Sequence, residues 1–401
     1  MVGSRLKVVS SVIPGEAVDY VARVRELGPM ILKYADQIEQ DQRLPDGLLD
    51  KLHEAGLYRM LLPKVYGGGE VTPITLFETL SAVAEYDGST AWCLGQANGC
   101  CIVAALLEES AAKAIWGDPR GALCWGVGRG EAKPIEGGYS VTGNWMFASG
   151  GHHVTWLGAQ YVTILDEHGD PRLEPNGEPM VRTLAFPAKE AERKIAWNVI
   201  GLRGTGSDGY AIQDLFIPEK FLFHRDVMEG VRIKSPLYAF QSNVLYTTCF
   251  AGVSLGLARG ILESFKTLAT EKKGRFGKTL LKDNAFTQSE VAVAEARIRS
   301  ARAYVKEELQ SVWEDVLASG ATTPDHRMRI RLATTFGIHE AKAAADIAYH
   351  AAGATAIFAS NGFERRFRDL HAAMQQIQGH KIHYQTVGAY LMGNEPDLAA
   401  I

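Results

Sequence analysis

A hydroxyl and two imidazoles stand together in Phe147-Ala148-Ser149-Gly150-Gly151-His152-His153. A second polar string, Arg368-Asp369-Leu370-His371 followed by Gln375-Gln376-Ile377-Gln378-Gly379-His380, lies near the other end of the chain. A serine hydroxyl beside glycines can hold a planar ligand by donating a hydrogen bond, worth about 1 kcal/mol. Imidazoles can move protons near neutral pH. His152 and His153 are adjacent, so on a strand they point to opposite faces and at most one meets a cavity. If residues 364–391 form one helix, Gln376, His380 and His383 fall within an arc of about 60°, with His371 roughly 100° or more away. An i, i+3 histidine pair can bind a metal, but no carboxylate joins that arc closely, and no metal site is expected. The structural alternatives are a strand-end serine and ordinary core or surface histidines.

Trp92, Trp125, Trp145, Phe147 and Trp156 cluster along the middle of the sequence. Aromatic residues can line a dry ligand pocket or simply fill a core, and the sequence alone does not separate the two. Two glycine-rich strings are set aside. Gly204-Thr205-Gly206-Ser207-Asp208-Gly209 matches Gly-x-Gly-x-x-Gly, yet a strand pattern follows it where a dinucleotide site needs a helix N-terminus, so it is read as a turn. Gly277-Lys278-Thr279 ends like a phosphate loop but has Lys272 where that loop needs glycine.

The bulk properties narrow the classes. The 401 residues carry a net charge of -4, with 46% hydrophobic and 22% charged residues, as in an ordinary globular chain. No basic stripe points to nucleic acid. The start lacks a signal-peptide core, and the apolar run from Ala97 to Leu107 is about half a membrane span. Five cysteines without Cys-x-x-Cys spacing argue for reduced thiols and a cytoplasmic location.

Periodicity divides the chain into an N-terminal helical domain (1–120), a central β-domain (121–236) and a C-terminal four-helix bundle (237–401). In the first, Val18, Val21, Val24, Leu27, Ile31 and Ile38 recur at helical spacing, with Pro29 expected to kink or restart the helix. Pro45-Asp46 begins a second helix, Gly56 caps it, and a third runs from Thr75 through Ser89-Thr90. The second segment holds strand patterns at 138–143, 156–165 and 210–218, with no helices between them, which favours an antiparallel sheet or barrel. The third holds long helical patterns near 237–273, 285–319, 325–352 and 364–391. The expected class is α+β, mostly α.

That order of domains resembles the acyl-CoA dehydrogenase superfamily over nearly the whole chain. The resemblance is carried by Leu44-Pro45, Leu52-His53-Glu54-Ala55-Gly56-Leu57, Leu62-Pro63-Lys64-Val65-Tyr66-Gly67-Gly68-Gly69, the segment Gly138 to Ser149, Ile217-Pro218 and Arg275-Phe276-Gly277-Lys278. It implies a flavin bound between the helices and a β-barrel-like domain. True dehydrogenases of the family remove an α-proton with a glutamate on one of two bundle helices, and that step needs a base. Here Gln376 and Ile377 occupy one such stretch, and the other, near Tyr246, also lacks a carboxylate.

The chain is more similar to the branch of two-component flavin monooxygenases, in Ser89-Thr90-Ala91-Trp92, in Ser149-Gly150-x-His152-His153-x-x-Trp156 and in Phe367-Arg368-Asp369-Leu370-His371-Ala372. The resemblance implies reduced FAD or FMN delivered by a separate NAD(P)H-flavin reductase, oxygen added at the flavin C4a, and hydroxylation of a small aromatic or indole-like substrate. It assigns cofactor contacts to Trp125, Phe147, Ser149, Arg275, Phe276 and Gln376. Substrate contacts fall to Trp92, Asn98, His152 and Tyr246, and catalytic roles to Ser149, Gln376, His371 and Asn98. Relatives often place a histidine where this chain has Gln376, and some have one near Asn98. Arg275-Phe276-Gly277-Lys278 resembles a loop that reaches the flavin of a neighbouring subunit, which implies a homotetramer. Two other readings stand beside this one: a dehydrogenase-like flavoprotein with a displaced base, and a non-enzymatic small-molecule binder.

Overall fold

The computed structural model describes residues 18–225, 230–274 and 279–395. Five helices come first: α1 (Tyr20–Asp41), α2 (Asp46–Glu54), α3 (Pro73–Ala84), α4 (Gly88–Cys101) and α5 (Glu109–Trp116). Strands follow: β1 (Leu123–Trp125), β2 (Val127–Ile135), β3 (Gly138–Met146), β4 (Trp156–Ile164), β5 (Val181–Pro187), β6 (Glu192–Lys194), β7 (Gly209–Pro218) and β8 (Leu222–Phe223). The bundle consists of α6 (Ser242–Ala269), α7 (Ala285–Ser319), α8 (Pro324–Ala352), α9 (Phe363–Ala373) and α10 (Ile382–Leu391).

α1 is one helix through Pro29, so the chain does not restart there. Pro29 lies on the exposed face, where water can take the carbonyl that proline leaves without a donor. On the opposite face Val24, Ile31, Ala35 and Ile38 are buried, and that burial holds the helix together. Gly56 adopts φ +74° after α2, as a left-handed cap does. The helical stretch from Thr75 is two helices, divided where Asp87 turns extended and accepts the backbone N–H of Thr90 to begin α4.

The strands form one sheet in the order β6-β7-β3-β2-β4-β5-β8, with β1 beside β4. The sheet is mixed: β4 runs parallel to β1 and β2, whereas β2-β3, β3-β7 and β4-β5 are antiparallel. The parallel pairs arise because the 147–155 loop carries the chain from the end of β3 across to β4 without a hairpin.

α6 is the central helix. It is long and apolar enough to cross a membrane, but 94% of its most apolar window is buried inside the protein. Gly252, Gly256 and Gly260 make a seam at four-residue spacing. A β-carbon there would lie 2.8, 2.2 and 2.7 Å from the carbonyl oxygens of Phe77, Ser81 and Glu85, so α6 meets α3 backbone to backbone.

The fourth bundle segment is not one helix. After α9 the backbone turns extended at Gln376, and α10 starts only at Ile382. Local side-chain caps win over helix continuation: Gln376 Oε1 accepts the N–H of Gln378 at 2.6 Å, and His380 Nδ1 accepts that of Ile382 at 3.1 Å. The arc drawn through Gln376, His380 and His383 therefore does not exist.

Candidate active site around Ser149

Ser149 sits in the loop between β3 and β4, 6% exposed. Its hydroxyl is 3.1 Å from the indole N–H of Trp92 on α4 and 2.6 Å from the Ser207 hydroxyl. Ser207 in turn lies 2.7 Å from the Thr205 hydroxyl, which donates to the carbonyl of Leu202 at 2.7 Å. Backbone bonds stitch the same two loops: Ala148 N–H to Asp208 O at 3.1 Å, and Gly150 N–H to Thr205 O at 2.9 Å. The 204–209 string is thus a turn, as expected, and its polar residues brace the Ser149 loop. Three polar side chains between glycines, Thr205, Ser207 and Asp208, were the available signal.

Aromatic rings extend from this point. Trp92 stacks on Phe250 of α6 at 4.1 Å, and Phe250 lies 6.0 Å from Tyr246, one turn earlier. Gly99 makes room for Tyr246, since a β-carbon there would lie 2.4 Å from the ring. The Tyr246 hydroxyl is 3.3 Å from Cys100 Sγ, and burial pushes both groups well above their ordinary pKa. Trp125, at the end of β1, is packed by Phe223 at 6.5 Å and overlaid by the Arg225 guanidinium at 5.9 Å. The same guanidinium donates to Gln160 Oε1 at 2.7 Å and lies over the Tyr161 ring at 5.6 Å.

Phe147 stands at the rim, 61% exposed, with φ +62° and its ring edge-on to Trp197 at 6.1 Å. A left-handed backbone at a bulky residue costs about 1–2 kcal/mol and is held by its surroundings. Those surroundings are Asp208, whose one oxygen accepts the N–H groups of Ala196 and Trp197 at 2.7 and 2.9 Å while the other meets His152 Nε2 at 2.9 Å.

The remaining expected residues fall differently. His152 and His153 lie in a loop and not on a strand, and both turn inward. His153 accepts the Leu44 N–H at 2.8 Å, and burial followed by the charge of His152 drops its pKa to about 3, so it stays neutral. Asn98 is corrected to a structural brace. It is fully buried, its amide N–H groups go to Leu57 O and Leu94 O, and its oxygen takes the Leu61 N–H. Gln376 is occupied in its capping turn. His371 meets Phe367 O at 2.8 Å on its own helix and Asp346 at 3.5 Å on α8, contacts apart from the Ser149 cluster. Trp145 and Tyr210 stack in the sheet core. Arg275 and Phe276 lie outside the described residues. Among the described residues no group of three His, Cys, Asp or Glu side chains could hold a metal.

This helix–sheet–helix order, with a hydroxyl loop set against α4, is that of a flavin-handling class of protein, and the chain belongs to the acyl-CoA dehydrogenase superfamily. The N-terminal domain profile of that family matches residues 19–113 and its C-terminal domain profile residues 248–381. Within the superfamily the chain is similar to monooxygenases. It is 28% identical to an indole-3-acetate monooxygenase of Pseudomonas putida, over 90% of each chain. It is 27% identical to the flavin-dependent monooxygenase oxygenase subunit HsaA of Mycobacterium tuberculosis, over 91% of this chain and 92% of that one. The HsaA crystal structure superposes with a TM-score of 0.85, covering 96% of this chain and 99% of that one at 25% identity. XiaF of a Streptomyces species, solved with FADH2 and glycerol, has the same fold, at TM-score 0.87 and 23% identity over 95% of this chain and 97% of that one.

The residues fit a flavin. A planar ring with one polar edge needs flat apolar walls and few, fixed hydrogen-bonding groups. Ser149 is one such group, fixed on both sides, and Phe147 is an exposed ring held against its backbone preference.

Proposed function

We propose that this chain is the oxygenase component of a two-component flavin monooxygenase that hydroxylates a small aromatic or indole-like compound. The observation that carries the reading is the composition of the site. A fixed hydroxyl lies among aromatic rings, while amides and a phenol (Gln376, Gln378, Tyr246) occupy the stretches where α-proton abstraction needs a carboxylate. Relatives named as monooxygenases and oxygenase subunits support the same reading.

Reduced flavin, when bound, supplies two electrons and activates O2, so that one oxygen atom enters the aromatic ring and the other leaves as water. The protein's part is positioning and dryness. Ser149 would hold the polar edge of the flavin, with Phe147 and Trp125 against its rings. Trp92, Phe250 and Tyr246 would wall the substrate side and exclude water, which otherwise diverts oxygen chemistry to peroxide. Asp208 would fix His152 and, through the backbone of Trp197, the rim at Phe147.

The reading takes reduced FAD as the cofactor, on the resemblance and on XiaF, with FMN as the alternative. It includes an NAD(P)H-flavin reductase as partner, a cytoplasmic location, and a homotetramer on the resemblance of residues 275–278. The test is a substrate screen with purified chain, a flavin reductase, NADH and O2, read by product mass. A product heavier by one oxygen, from a chain that purifies colourless and binds reduced flavin, is the expected result. A stably yellow chain whose flavin is reduced by a thioester would replace this reading with the dehydrogenase one.

A further inference from the structure

We propose that Thr205 and Ser207 fix the direction of the Ser149 hydroxyl, so that the site accepts from the N5–H of reduced flavin and disfavours the bare N5 of oxidised flavin. The proposal rests on the flavin reading above and adds a source of redox-state selectivity to it.

One chain of contacts fixes where each hydroxyl proton lies. Each hydroxyl has one proton to donate and two lone pairs, a backbone carbonyl only accepts, and an indole N–H only donates. The Thr205 proton goes to Leu202 O at 2.7 Å, because that oxygen has none to offer. The 2.7 Å contact between Thr205 and Ser207 must then be filled by the Ser207 proton. The 2.6 Å contact between Ser207 and Ser149 must likewise be filled by the Ser149 proton. Trp92 donates to Ser149 at 3.1 Å and takes one lone pair. Ser149 is left with one lone pair and no free proton. It faces a ligand as an acceptor, the reverse of the donor role that its residue type alone suggested.

All three hydroxyl residues are buried (Thr205 0%, Ser207 2%, Ser149 6% exposed), so bulk water does not scramble this order. Flavin N5 carries a proton in the reduced form and is an unprotonated acceptor in the oxidised form. An acceptor at Ser149 therefore pairs with the first and opposes a lone pair in the second. Thr205 and Ser207 are positioning residues, since they act through Ser149.

The test is anaerobic titration of the full chain with reduced and with oxidised FAD, for wild type, Thr205→Val, Ser207→Ala and Thr205→Ser. Wild type should bind reduced FAD more tightly. Valine at 205 frees the Ser207 proton to turn toward Ser149, and alanine at 207 frees the Ser149 proton directly. Either change lets Ser149 donate to oxidised N5. The preference for reduced flavin should fall about tenfold in both, equal to a bound-flavin midpoint potential lower by about 30 mV. Thr205→Ser should restore it. If Thr205→Val fails to fold, Ser207→Ala carries the comparison. An unchanged preference in folded variants, or a wild type that binds both forms equally, overturns the proposal and leaves the flavin reading intact. A wild type that binds neither form overturns both.

Discussion

Asp369 on α9 accepts the backbone N–H of Leu202 at 2.6 Å, and in doing so fastens the loop that braces Ser149 to the helical bundle. Gly201 lets this happen: a β-carbon there would lie 2.1 Å from Arg368 O, so the loop backbone rests directly on the helix backbone. The carboxyl is buried, and its pKa is raised to about 7 by burial first and then by the charge of Asp87 at the start of α4, with Glu39 of α1 adding to it. The Leu202 N–H and the Arg368 charge act the other way.

A pH dependence of stability follows. In the unfolded chain an aspartate titrates near about 3.9, below its folded value. The unfolded state therefore loses the proton first, and the stability that the protonated Asp369 contributes is lost as pH rises from about 4 through about 7. The thermal midpoint should fall by a few degrees across that window. Asp369→Asn, which cannot ionise, should flatten the fall. Calorimetry at stepped pH reads both, and an unflattened curve in the variant would remove Asp369 as the cause.

Ser149→Ala keeps nearly the same volume but removes the hydroxyl. Flavin affinity should drop only modestly, by about one hydrogen bond of ~1 kcal/mol. Oxygen chemistry should suffer more, because it depends on a dry and preorganised site. With the reductase present, NADH and O2 are still consumed while hydrogen peroxide replaces product. The peroxide-to-product ratio decides it, and a ratio equal to wild type would make Ser149 a structural serine only.

Acyl-CoA thioesters should not bleach bound oxidised flavin at a useful rate under anaerobic conditions. The Gln376 oxygen caps a turn, Gln378 Oε1 accepts from the Arg331 guanidinium, and the Tyr246 phenol is held protonated by burial. None of these can take an α-proton near neutral pH. Bleaching within seconds in a stopped-flow trace would refute the monooxygenase reading.

Asn98→Ala should cost stability and spare the cofactor. It strands the Leu61 N–H and the Leu57 carbonyl without partners in a fully buried place. The expected loss is about 2–4 kcal/mol by denaturant unfolding. Flavin affinity per folded molecule should be unchanged, and a selective loss of affinity would return Asn98 to the site.

Much of this molecule was readable from residue pattern. The change of period from 3.6 to 2 and back marks helices, sheet and bundle, and the string around Ser149 falls in a loop held by Trp92, Thr205, Ser207 and Asp208. What could not be read depended on distant contacts. Thr205, Ser207 and Asp208 gain their role only because the fold sets them against residues 148–152, some 55 positions earlier. Asn98 reads as available because two of its three backbone partners, Leu57 and Leu61, lie about 40 positions earlier in sequence. The break after α9 escaped because side-chain caps at Gln376 and His380 outweighed an apolar pattern that continues on both sides. At Pro29 the helix continues where a restart was one expectation, since the exposed position of the proline is set by the packing of the other face.

The glycine seam of α6 bears on where the aromatic walls stand. Because Gly252, Gly256 and Gly260 each receive a carbonyl of the α3 stretch, the two helices interlock like teeth of a rack. A small slide along the seam drives backbone atoms together, and the next comfortable register lies a full turn away, about 5.4 Å. α4 follows α3 after a short turn and carries Trp92, while α6 carries Phe250 and Tyr246. The seam thus fixes the backbone register from which Phe250 and Tyr246 project, and any slide of α6 along α3 would come in whole turns.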